Sequence, residues 1–143
     1  MRAIVRSAVI LCLAALLLYA DAHQDTLDLF ASAAAALADV NVPKFMEAFD
    51  PDMPDYDRLK TDVTALVNQA EVSSSIEPIR DQGDDSKRLV DLDWYLEVRS
   101  LLQDGPIIRR REIVHCELQR KNKRWKIVSL EPIQLFAPAA LAQ

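Results

Sequence analysis

The chain has 143 residues, 50% of them hydrophobic and 27% charged, with a formal net charge of −5 and two cysteines. That length suits one domain with a core of its own. An acidic balance speaks against nucleic acid and anionic membrane surfaces as partners, and two cysteines exclude a disulfide-built scaffold.

The first element is a leader. Arg2 and Arg6 precede an uncharged apolar run from Ala8 to Leu18, and Ala20-Asp21-Ala22 places small residues where a signal peptidase reads. The apolar run is about 11 residues, short of the roughly 20 that cross a bilayer as a helix. Residues 1–22 are therefore predicted to be a cleavable signal peptide, with 23–143 as one exported domain whose core spans about 25–138. Cys12 lacks small residues before it, which argues against lipid attachment and leaves no stable membrane anchor after cleavage. Losing the leader takes Lys+Arg from 17 to 15 and Asp+Glu from 22 to 21, so the mature charge becomes −6. Cys116 is then the single cysteine.

Three helices are predicted next. Asp25 can cap one through about Asp39, with Leu27, Phe30, Ala33, Ala34 and Leu37 on one stripe. Asn41 and Pro43 read as the cap and first turn of a short helix over Val42 to Phe49. A third runs from about Pro54 to Gln69 and buries Leu59, Val63, Leu66 and Val67.

After residue 70 the apolar period falls to two, which predicts four strands. Val72, Ser74 and Ile76 share one face of the first, which ends near Pro78 and is followed by a polar turn over Arg80 to Lys87. Val90, Leu92, Trp94, Leu96 and Val98 share the inner face of the second. Gln103-Asp104-Gly105 turns the chain, with Gly105 expected to take the positive φ. The third strand covers Ile107 to Arg120, and a turn at Lys121-Asn122 leads to a fourth, Trp125 to Phe136. Pairing Leu102 with Pro106 sets Trp94 against Val114, Leu92 against Cys116, Glu97 against Arg111 and Asp93 against His115. A two-residue second turn sets Leu118 against Trp125 and Cys116 against Ile127, with both Trp side chains inward. Ala137 to Gln143 is expected to be a frayed tail.

The expected class is therefore α+β: three N-terminal helices on a strongly curved, mainly antiparallel four-stranded sheet, a cystatin-like cone. In this order the sequence resembles the nuclear transport factor 2-like superfamily, which includes ketosteroid isomerase and scytalone dehydratase. The residues that carry the resemblance are Phe45-Met46-Glu47-Ala48-Phe49-Asp50-Pro51-Asp52, Arg124-Trp125-Lys126-Ile127-Val128, and the closing Leu135-Phe136-Ala137-Pro138, which is similar to the ends of exported bacterial members without assigned activity. The resemblance implies a fold and does not select an activity, because the superfamily holds isomerases, dehydratases, cyclases, transport factors and accessory domains of envelope proteins.

Enzymes of that fold work in the hollow between sheet and helices with an inward carboxylate or His, as in the Asp base of ketosteroid isomerase, which is itself a standard example of pKa tuning. Here alternation puts Asp91 and Asp93 on the outer face, and leaves Arg110 and Glu112 as the inward charged groups of the third strand. Arg110 and Glu112, with Trp94, Trp125 and Ser74, are the candidate ligand-binding set, and Glu112 is the one candidate general base. His115 points outward and His23 lies at a terminus, so no metal cluster and no nucleophile–base pair is expected, and no cofactor. Asp50, Asp52, Asp55 and Asp57 lack the central Gly and closing Glu of a calcium loop and read as helix-capping carboxylates. The function expected is a non-catalytic exported ligand-binding or interaction module, in a bacterial periplasm or outside the cell. Its partners would be a small hydrophobic or anionic ligand in the cone, or a second copy paired through the outer sheet face. The alternatives are a small isomerase or hydratase with Glu112 as base and Arg110 holding an anionic substrate, and a structural module of an envelope assembly.

Overall fold

The computed structural model describes residues 21–140. Residues 1–20 of the expected signal peptide lie outside these; Asp21 and Ala22 are described and are helical. Helix α1 covers 21–38, so Asp25 lies within it instead of capping it. No Gly or Pro in Asp21–Gln24 interrupts the helix before Asp25.

Helix α2, Val42–Met46, has the expected N-cap: the Asn41 side chain accepts from the Lys44 backbone N–H at 3.2 Å. It ends earlier than expected because the chain pairs with the sheet instead. Phe49 forms a parallel bridge to Ile127, with Asp50 N–H donating to Ile127 O at 2.9 Å and Ile127 N–H to Ala48 O at 2.8 Å. Helix α3, Tyr56–Gln69, follows a left-handed residue, Asp55 (φ 62°), and buries the predicted Leu59, Val63, Leu66 and Val67.

The sheet has the order β1-β2-β3-β4, antiparallel throughout, from β1 (Ala70–Gly83), β2 (Lys87–Ser100), β3 (Ile107–Lys121) and β4 (Arg124–Glu131). Strand β1 does not stop at Pro78. It passes a register shift between Pro78 and Arg80 and continues to Gly83. As an edge strand it tolerates a proline that donates no ladder bond. Strand β4 ends earlier than expected, at Glu131, and Ile133–Phe136 forms a short 3-10 turn.

The first hairpin register differs from expectation by two; the second differs by two beside its turn and by three beyond a bulge between Glu117 and Leu118, so that Cys116 faces Leu130 and not Ile127. Leu92 lies opposite Val114 and Trp94 opposite Glu112. The loop 101–106 is longer than the expected turn, and Asp104 (φ 60°), not Gly105, takes the left-handed conformation. Gly105 is needed for another reason: a Cβ there would lie 2.4 Å from the Cβ and Oγ of Ser100. In the second hairpin Asn122 and Lys123 form the turn, with φ of 51° and 67°, and Leu118 faces Ile127. A shift of two keeps side chains on their faces, and only past the bulge does the alternation of β4 slip, with Leu130 buried in place of Ser129. Both tryptophans are indeed buried, at 0% and 6% exposure.

The inner face closes on an aromatic cluster. Phe136 sits edge-on to Trp94 (5.0 Å between centroids) and to Phe45 (5.5 Å), and Phe45 meets Phe49 at 5.1 Å. The described part of the expected tail is pinned, not frayed: Gln69 Nε2 donates to Ala139 O at 2.9 Å, and Ala139 is buried.

Asp50 secures the junction between α2 and the sheet. Its buried carboxylate accepts from the Asp52 backbone N–H at 2.8 Å and pairs with Lys121. The Lys121 hydrogen bond, then the Asp52 N–H, hold its pKa below the ordinary 3.8. A depressed folded pKa gives stability that is present above the unfolded value and lost as pH falls through the folded one. Asp50→Asn should therefore cost about 1 kcal/mol at neutral pH. Urea titrations at descending pH should show the wild-type advantage vanishing below the ordinary carboxylate range.

Candidate functional site

The five candidate residues do not converge on one hollow. Trp94 is wholly buried at the centre of β2, and its Nε1–H donates to Ser74 Oγ at 3.3 Å. Ser74 is thus a partly buried partner for the indole. Arg110 is half-buried and turned to the chain's late residues: Nη1 donates to Leu135 O at 2.9 Å and Ala137 O at 2.6 Å. Burial pulls its guanidinium pKa down, although an arginine remains charged. Glu112, opposite Trp94 on β3, is exposed and makes no ion pair among the described residues. Trp125 lies elsewhere, beside a surface cleft, and its buried Nε1–H has no acceptor among the described residues.

Cys116 is buried on the inner face, and burial pushes its thiol well above the ordinary range, so it stays protonated. Among the described residues no three His, Cys, Asp or Glu groups converge as metal ligands. Asp50, from the run of aspartates, is held by Lys121.

Opposite charges cover the outer face. Arg111 grips Asp93 through Nε at 2.9 Å, His115 Nδ1 lies 2.7 Å from Asp91, and Arg109 is 3.7 Å from Glu97. The Arg111 hydrogen bond lowers the Asp93 pKa. Leu89, Ile107 and Ile113, all exposed, and half-buried Tyr95 are hydrophobic members of this face. Two further hollows flank α1. One is an apolar groove of about 410 Å³ between α1 and β1, lined by Leu27, Phe30, Ile76 and Pro78. The other, about 650 Å³, is bounded by α1, α2 and the β3–β4 turn, and Trp125 lines it.

No protein-family model matches the sequence, and no curated protein is similar to it. Solved structures are similar in shape. A conserved protein from Planctomyces limnophilus superposes with a TM-score of 0.69 at 7% identity, over 76% of this chain and 91% of that one. A provisionally assigned scytalone dehydratase from Novosphingobium aromaticivorans gives 0.68 at 11%, over 76% and 80%. A hexachlorocyclohexane dehydrochlorinase from Novosphingobium barchaimii gives 0.64 at 12%, over 80% and 86%. The chain has the nuclear transport factor 2-like fold. At these identities the likeness speaks for the fold alone, since one fold carries unrelated chemistries.

On this nuclear transport factor 2-like frame, sequence reasoning missed one buried charged group. Strand β2 begins at Lys87, so its inner face includes Arg88, which is 2% exposed. Arg88 Nε donates to Asp81 at 2.7 Å and Nη1 to Asp84 O at 3.0 Å, while His23 of α1 also pairs with Asp81. Extending the β2 alternation by one step would have found Arg88; its partner was hidden because Asp81 was assigned to a turn.

Arg110 yields a direct check. If its work is to hold the 3-10 turn, Arg110→Met should destabilise the fold by about 1–3 kcal/mol through two unmet carbonyls. Limited proteolysis should then cut first near residues 135–139.

Proposed function

We propose that this chain is an exported, non-catalytic module with a nuclear transport factor 2-like cone, acting by protein contact through its outer sheet face, first of all with a second copy. The observation that carries this reading is the filling of the inner side. Trp94, Phe136, Phe45 and Phe49 pack against one another on the inner face, while the outer face stays open. Ile113 and Tyr95 among paired charges make that face self-complementary: Asp93, Arg111, Glu97 and Arg109 offer both signs to a two-fold partner. Export rests on the charged start, the apolar run and the small residues of the leader.

An isomerase or hydratase would need Glu112 in an apolar enclosure that raises its pKa. Its exposure at the surface favours the non-catalytic reading, as do the carbonyl contacts that occupy Arg110. A ligand held by Trp94, Ser74, Arg110 and Glu112 together is disfavoured by the same contacts. Incorporation into a larger envelope assembly would use the same outer face and would be seen as a co-purifying protein.

Two measurements test the proposal. Mass spectrometry of the protein recovered from a bacterial periplasm or culture medium should find His23 as the first residue; an intact leader rejects cleavage after Ala22, and a protein that stays in the cytoplasm rejects export. Light scattering should give a dimer that Ile113→Arg converts to monomer without loss of thermal stability. A wild-type monomer at high concentration removes self-pairing.

A further inference from the structure

The turn between β3 and β4 breaks the charge pattern of the rest of the molecule. Residues 120–126 hold five of the chain's 17 Lys and Arg, in a protein whose net charge is −5. Lys121 and Arg124 lie directly opposite each other in the ladder, a like-charge pairing that a sheet normally avoids. The hairpin is also fixed in place. Lys121 is tied to Asp50, Lys126 donates to Glu47 O, and Ile127 is bonded to the chain after α2.

Lys123, Arg124 and Lys126 of the hairpin and Asp25 and Asp28 of α1 line the 650 Å³ cleft there, with Lys44 and Glu47 from α2 and its C-cap. Elsewhere this protein joins opposite charges wherever they meet, as at Asp93–Arg111, Asp91–His115 and Asp81–Arg88. Across the cleft, none of these seven forms an ion pair among the described residues. The fixed hairpin holds Lys123 and Arg124 unjoined to Asp25 and Asp28 of α1. Trp125, only 6% exposed, lines the same cleft, and its indole N–H has no acceptor among the described residues. A buried donor without a protein partner is rare in folded proteins, and it sets Trp125 apart from Trp94, which bonds Ser74.

We infer that this cleft is a binding site for a small zwitterion, with an anionic oxyacid group on the Lys123–Arg124 side and an ammonium on the Asp25–Asp28 side. The volume suits a small molecule, and charge-assisted hydrogen bonds from both walls would orient it. The acidic wall repels polyanions, so the basic turn is not a nucleic-acid surface. The site shares none of its charged residues with the outer sheet face, so its fate is independent of self-pairing.

The chain has two tryptophans, so two indole N–H signals in a nitrogen-15 spectrum report on it directly, one from the cleft and one from the core. Titrating the purified protein with phosphoethanolamine should move the Trp125 signal saturably and leave that of Trp94, bonded to Ser74, in place. The double variants Lys123→Gln/Arg124→Gln and Asp25→Asn/Asp28→Asn should each weaken binding about tenfold or more. An unmoved Trp94 signal shows that each variant is folded. Inorganic phosphate and ethanolamine alone should each bind at least about tenfold more weakly. Vesicles of phosphatidylethanolamine separate the sources: a Trp125 shift with the soluble headgroup indicates a free ligand, and one confined to vesicles indicates a lipid. An unmoved Trp125 with both, phosphate binding as tightly as phosphoethanolamine, or variants that bind like wild type would each overturn the inference.

Discussion

The contact between Trp94 and Phe136 governs the inner side of this fold. Trp94 stands at the middle of β2, an interior strand of the sheet, and Phe136 comes from the 3-10 turn after β4, packing edge-on at 5.0 Å. An edge-to-face pair gains energy from its geometry as well as from area removed from water. Both ends of the contact are positioned by hydrogen bonds. Ser74 accepts from the indole, and Arg110 holds the carbonyls on either side of Phe136, at Leu135 and Ala137. Phe45 and Phe49 then complete the cluster from the helical side.

Much of this architecture was legible in the sequence because β structure has a strict period of two. The face assignments of Val90 to Val98, of Cys116 and Leu118, and of both tryptophans survive even though both hairpin registers are displaced. Loop length was the unreadable quantity. Nothing in Leu101–Pro106 announces that Asp104 adopts the left-handed conformation while Gly105 serves close approach to Ser100. Lys123 at positive φ was equally hard to foresee, since a lysine gives no signal for that conformation.

The candidate site was less legible, for a different reason. Alternation says which face a side chain leaves from, not what its far end reaches. Arg110 does start on the inner face, yet its guanidinium finds backbone carbonyls about 25 residues downstream. Glu112 leaves from the same face and ends exposed. By contrast the basic run 120–126 is plain in the sequence, and only the fold brings Asp25, Asp28 and Glu47 across from it.

Arg110's hold on Leu135 and Ala137 has a consequence for the order in which the molecule can become whole. A polypeptide delivered from its N-terminus, by a ribosome or through a translocase, presents helices and hairpins long before residues 133–139. Until those residues arrive, the inward side of Trp94 has no Phe136 to rest on, and the hydrophobic face of β2 and β3 stays wet. The partner arrives some forty residues late, a delay set by chain connectivity and not by local preference. A nascent chain of this kind therefore stays open to handling by chaperones until residues 133–139 have been delivered.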